Sequence, residues 1–179
     1  MHPFFLAALV VTAIAAFTDW RTGHIPNWLT FGTLAVAPIG HALVGFRTAG
    51  PTGAAWGFGY SVAGIVLCSL VPGLLFVLEG MYAGDVKILA ALGALMAPML
   101  GIEAEFYSFI VAALYAPARL AYEGKLLRTL GNSVFLVVNP FLPKEKRRPL
   151  SQETMSKLRF GPSVFAGTVA AVLLNWSAT

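Results

Sequence analysis

Cysteine is nearly missing from this chain. Cys68 is its only one, so neither an intramolecular disulfide nor a multi-cysteine zinc site can be built, and its place inside an apolar run marks it as packing. Charge is scarce too: 11% of the residues are charged against 58% hydrophobic, and the mean hydropathy is +0.76, which excludes an ordinary soluble domain. His2 and His41 have no metal-ligand spacing with an acidic partner, and His24 reads as a solvated loop residue. No metal and no cofactor are expected. Aspartate is the scarcest acid, with only Asp19 and Asp85, and each stands where a long apolar run meets a polar loop.

What fills the chain instead is apolar sequence. Runs of roughly 17 or more residues, enough to cross a hydrocarbon core as helix, recur along most of its length. The fold class expected is all-α: one polytopic integral-membrane domain over residues 1–179, with spans at 2–18, 28–46, 55–78, 86–101, 106–122 and 162–178. The first run contains Ala13-Ile14-Ala15, which looks like a signal cleavage site, but no Lys or Arg precedes it and Arg21 follows, so it reads as an uncleaved span.

Basic residues set the orientation, because they concentrate in cytoplasmic loops. With the N-terminus outside, the loops after spans one, three and five face the cytoplasm and hold Arg21, Lys87, Lys125, Arg128, Lys157, Arg159 and the basic run at 144–148. Only Arg47 falls outside, and the outer loop between spans four and five carries Glu103 and Glu105. Residues 126–142 are apolar enough to suggest a seventh span, but a crossing there would carry the basic run outside. Residues 123–161 are therefore expected to form a cytoplasmic interfacial segment, amphipathic or re-entrant, with its basic run on anionic lipid headgroups. The pI near 9.5 then needs no nucleic acid, and no basic patch interleaved with aromatics supports one.

Small residues mark where helices approach. Gly53, Gly57 and Ser61 repeat at four-residue spacing, and Ala90, Ala94 and Ala97 line one face of span four. Trp20 and Trp28 flank the first cytoplasmic loop, where indole rings prefer the headgroup layer.

Under this topology both aspartates lie at the cytoplasmic boundary, Asp19 after an inward-running helix and Asp85 before an outward-running one. A lone aspartate at such an edge is an ordinary polar residue that ends a helix. Two at one depth on one side are harder to explain that way. Each one's own helix sets them apart: a C-terminus disfavours charge on Asp19 and an N-terminus favours it on Asp85, so a shared proton is expected on Asp19. Two carboxyls sharing one proton can activate a water and protonate a substrate carbonyl or amine, the chemistry of aspartic proteases.

The neighbouring residues sharpen this. Asp19 is followed by Ile25-Pro26-Asn27, in which Pro26 stiffens the loop and Asn27 is placed to cap span two. The second aspartate lies in Gly80-Met81-Tyr82-Ala83-Gly84-Asp85-Val86-Lys87, where Gly84 is expected to permit a tight turn. Phe160-Gly161-Pro162 leads into the last span, and Gly167 lies within it. Together these resemble the type IV prepilin peptidases, polytopic aspartic peptidases with an Asp followed by Ile-Pro-Asn after the first span and Gly-x-Gly-Asp before a later one. The resemblance implies an inner-membrane endopeptidase, facing the cytoplasm, that removes the basic leader of prepilin-like substrates. Asp19 and Asp85 take the catalytic roles, and Ile25, Pro26, Asn27, Gly84 and Lys87 form the supporting motif. The short chain resembles the subfamily serving Flp-type (tight-adherence) pili or the archaeal preflagellin peptidases. Longer members carry a cysteine tetrad between the first two spans and also methylate the new N-terminus; the loop here has no cysteine, so cleavage is expected and methylation is left open. Tyr82 departs from the pattern, standing where the family has its first glycine.

Two rival classes remain at this level. A proton-coupled transporter would carry carboxylates near the middle of spans and paired half-repeats, and neither is present in the sequence. A noncatalytic membrane assembly subunit would use the aspartates only to fix helix packing, which leaves the Ile-Pro-Asn and Gly-Asp-Val-Lys contexts unexplained. Glu79 could attract a basic leader, though it equally marks a membrane edge. No oligomeric state is implied.

Overall fold

A backbone in hydrocarbon has no water to bond, so its N–H and C=O groups must pair within the chain, and helices satisfy that requirement locally. The structure, a computed structural model, describes residues 2–78, 80–122 and 159–176. Among them lie four helices, α1 (His2–Thr22), α2 (Asn27–Val77), α3 (Ala83–Tyr122) and α4 (Gly161–Asn175), and no strand. The all-α expectation holds. By length and composition α1, α2 and α3 could each cross a membrane, while α4 is a shorter apolar helix of 15 residues. The chain divides into two units, Met1–Val111 with Arg159–Thr179 and Ala112–Leu158. The described part of the second, residues 112–122, is the end of α3. The expected interfacial segment lies almost wholly outside the described residues: 123–158, with the basic run 144–148, is not among them, and neither is Glu79.

The expectation of six separate spans is corrected to these four helices. Spans two and three belong to one helical run of 51 residues, α2, and spans four and five to one of 40 residues, α3. The stretches expected as outer loops, 47–54 and 102–105, lie within these runs and are helical except at Ala49 and Gly50, so Glu103 and Glu105 are helix residues. Each run is instead broken at one point. In α2, Ala49 and Gly50 leave helical geometry, with Gly50 at φ 64° and ψ −149°; in α3, Ala97 does so at φ 62° and ψ 179°. A proline follows each break, Pro51 and Pro98. The proline ring disfavours helical angles in the residue before it and removes one N–H from the ladder. Hydropathy does not register this signal and separates the apolar runs at polar residues instead, at 47–54 and 102–105.

At both breaks the helix folds back on itself through small residues. A Cβ at Gly45 would collide with the backbone of Gly53, and one at Gly57 with the backbone of His41; in α3, Gly93 and Gly101 meet in the same way. α2 and α3 then touch at Gly64 and Gly93, with the buried thiol of Cys68 beside them. The packing face expected from Gly53, Gly57 and Ser61 is therefore real. Ser61 does more than pack. Pro98 has no N–H to offer the Ala94 carbonyl one turn back, and Ser61 Oγ donates to that carbonyl at 2.7 Å. His41 Nε2 lies 2.9 Å from the neighbouring Leu95 carbonyl, while Phe4 stacks on the His41 ring at 3.7 Å between centroids.

α1 buries Phe5, Ala8, Thr12, Ala15 and Asp19, a stripe spaced three and four residues apart along one helix face. It packs along α4, whose Val164, Thr168, Ala171 and Val172 are buried. Trp20 and Trp28 are exposed.

Two measurements test this packing. Gly57→Ala is expected to destabilise the protein by about 1–3 kcal/mol through overpacking, whereas Gly59→Ala, with nothing within 4 Å of the added carbon, should stabilise it by up to about 1 kcal/mol through helix propensity. The thermal midpoints in detergent should therefore move in opposite directions; equal shifts would mean that the two arms of α2 do not meet at Gly57. Ala97→Gly should raise the midpoint, because a non-glycine residue at positive φ costs about 1–3 kcal/mol.

Candidate functional site

Asp19 and Asp85 both lie at helix ends, with boundaries a little different from those expected. α1 continues past Asp19 to Thr22, placing the aspartate in its last turn. The chain leaves through Gly23 at φ 68°, whose N–H donates to the Asp19 backbone carbonyl at 2.8 Å. This left-handed stop is one that glycine enters without steric penalty. Asp85 lies in the first turn of α3. The Tyr82 carbonyl accepts the N–H groups of Asp85 and Val86 at 3.0 and 3.3 Å, and the Asp85 carboxyl reaches back to the Tyr82 backbone. The reach of the Asp85 carboxyl back to the Tyr82 backbone is the half of a capping box made by the third helical residue.

Neither Tyr82 nor Gly84 has a positive φ. The tight turn expected of Gly84 is absent: the residue is already helical, and a Cβ there would meet only Ile25 Cβ at an ordinary 3.8 Å. For the same reason Tyr82 occupies the family's glycine position without backbone strain. Its side chain is exposed.

The two carboxyls are brought together. Asp19 is 6% exposed and Asp85 7%, and the charge of Asp19 acts on Asp85. The Ile25-Pro26-Asn27 segment packs against the start of α3. Ile25 is buried beside Gly84. Pro26 is the residue that caps α2, at φ −63° and ψ 132°, and its carbonyl accepts the Leu29 and Thr30 N–H groups. Asn27 does not act as the cap expected from its type; its Oδ1 instead accepts a hydrogen bond from Lys87 Nζ at 3.0 Å. The Lys87 ammonium also lies 5.0 Å from the centre of the Phe31 ring. His24 is exposed. Among the described residues no group of three or more His, Cys, Asp or Glu side chains comes together.

Gly161 was missed as a site residue. Its N–H donates to Asp19 Oδ2 at 2.9 Å, and both residues are buried. It opens α4, so the Asp19 side chain meets a helix N-terminus although its backbone lies at the C-terminal end of α1. The unequal placing of the proton, drawn from each aspartate's own helix, therefore loses its basis. Phe160-Gly161-Pro162 was visible as a motif, but the residue it touches lies 142 positions away.

The second half of α3 also holds acidic groups, one of them buried. Glu105 is buried and hydrogen-bonded with the Cys68 thiol, while Glu103 accepts from Tyr107 Oη and Asn175 Nδ2, both at 3.0 Å.

Compared with known proteins, no curated protein and no solved structure matches this chain. A family does: residues 6–117 match the type IV leader peptidase family. That stretch covers more than half of the chain and contains Asp19, Ile25-Pro26-Asn27, Gly84, Asp85 and Lys87. The chain therefore belongs to the type IV leader peptidase family.

Proposed function

We propose that the chain is an aspartic endopeptidase of the cytoplasmic membrane that cleaves the leader peptide of type IV prepilin-like precursors, with Asp19 and Asp85 as its catalytic pair. One observation carries this reading: the chain's only two aspartates are both buried, at the ends of two helices, and close enough for Asp19 to act electrostatically on Asp85. Two carboxyls brought this close can hold one proton between them. The ionised carboxylate takes a proton from water as its oxygen attacks the scissile carbonyl carbon, and the protonated carboxyl gives its proton to the carbonyl oxygen. A neutral gem-diol results. Its collapse breaks the C–N bond, one carboxyl protonates the leaving nitrogen, and the other takes a diol proton, so the pair again holds one proton. No metal takes part in this scheme.

The finer assignments rest on sequence. The basic loops place the site at the cytoplasmic face, with residues 123–161 as an interfacial segment of one membrane domain on anionic lipid. The short first loop favours a Flp-type pilin or preflagellin-like substrate. Asn27 and Lys87 hold the two aspartate-bearing segments in register.

The test uses a synthetic peptide with a short Lys/Arg-bearing leader joined to an apolar helix, presented in detergent micelles. Asp19→Asn and Asp85→Asn are each expected to lower kcat by about three orders of magnitude or more, and a chelator is expected to leave wild-type cleavage unchanged. Full cleavage by either variant would remove the pair from the chemistry, and inhibition by the chelator would overturn the metal-free scheme. A proton leak through liposomes that is lost in both variants would support the transporter reading instead. Asn27→Ala and Lys87→Met should each reduce kcat/KM, and their double variant should be no worse than the poorer single one, with a coupling of about 1 kcal/mol. Strict additivity would show that the Lys87–Asn27 bond does not link the two segments during catalysis.

A further inference from the structure

Gly161 lies outside the stretch that matches the family, yet its N–H donates to Asp19 Oδ2 at 2.9 Å. Its φ is not positive, so glycine is not required there by backbone angle. Space requires it. A Cβ at 161 would lie 2.8 Å from Asp19 Cβ, 2.9 Å from Oδ2 and 3.2 Å from Ala16 Cα. Any side chain would push the aspartate away and break the 2.9 Å bond from its own N–H.

The donor is also held firmly in place. The Phe160 carbonyl accepts the Ser163 and Val164 N–H groups at 3.0 and 3.1 Å, closing the first turn of α4, and Pro162 stiffens that turn. The Phe160 ring packs on Phe109 at 5.6 Å. One turn further on, Gly167 lies against Ser108, whose hydroxyl donates to the Ala104 carbonyl at 2.6 Å. A carboxyl on a free side chain samples several rotamers. One fixed N–H on Oδ2 selects among them and leaves Oδ1 as the oxygen available for proton exchange.

We infer that Gly161 is a positioning residue for the proteolytic reaction: its N–H fixes Oδ2 of Asp19, and its missing side chain leaves the aspartate room to adopt the reactive orientation. The inference rests on the reading of Asp19 as catalytic. It does not make Gly161 a catalytic residue, because it acts through Asp19 and does not itself meet the reacting atoms.

The experiment compares four full-length proteins on the leader–helix peptide in micelles: wild type, Asp19→Asn, Gly161→Ala, and a protein with the Phe160–Gly161 peptide bond replaced by an ester. The ester removes the N–H without adding an atom, so it retains the packing if Gly161→Ala fails to fold. Gly161→Ala is expected to lower kcat about a hundredfold and the ester about tenfold, both with KM within about twofold of wild type. The chain has two aspartates, so 13C labelling of aspartate side-chain carboxyls gives two signals, and the one lost in Asp19→Asn should move in the ester protein. Wild-type kcat in the ester protein, a loss confined to KM, or an unmoved Asp19 signal would overturn the inference while an inactive Asp19→Asn keeps the proposed function intact. Full activity of Asp19→Asn would overturn both.

Discussion

The structure depends on one constraint: a chain in hydrocarbon must satisfy its own backbone hydrogen bonds. Helix is the cheapest answer, and among the described residues nearly all of the chain adopts it. Non-helical backbone is therefore confined to a few places, and at three of them another group meets lost bonds. At the Ala97–Pro98 break, Ser61 and His41 reach the Ala94 and Leu95 carbonyls. At the end of α1, Gly23 closes on Asp19, and at the start of α3, Tyr82 and Asp85 bond each other.

The same constraint gathers the two aspartates. The short connection 23–26, the residues just before α3 and those just before α4 meet around the two aspartates, through Ile25 on Gly84, Asn27 on Lys87 and Asp19 on Gly161. The breaks within α2 and α3 serve no such purpose. Ala97 is twelve residues beyond Asp85 along α3, about 18 Å at the usual helical rise, and its neighbours are glycine, alanine and serine packed for close approach. One set of chain reversals carries polar side chains and loops. The other is made as small as the backbone allows.

This division explains what could be read in advance. Asp19 and Asp85 were legible because a charged residue at the edge of an apolar run is costly and so conspicuous. The packing role of Gly57 and Ser61 was legible because four-residue spacing maps directly onto a helix face. Three other features were not. The breaks at Gly50 and Ala97 depend on the proline that follows, which a hydropathy window averages away. Asn27 has the composition of a cap, but its partner is Lys87, 60 residues distant, and only tertiary structure supplies it. Gly161 is the extreme case, since the property that matters is the absence of a side chain opposite a residue in another helix.

Burying two carboxyls side by side works against folding, and this chain has few charges with which to offset it. The acids in the second half of α3 show how a stable protein deals with the problem: Glu103 is bonded by a tyrosine and an asparagine, and Glu105 sits against a thiol. The aspartates are treated differently. Their bonds come from backbone, the Gly161 N–H on Asp19 and the Tyr82 backbone on Asp85. Backbone donors at helix N-termini stabilise an acid without bringing another titrating side chain into the site. The helix ends that make this burial tolerable therefore also fix where the two carboxyls lie.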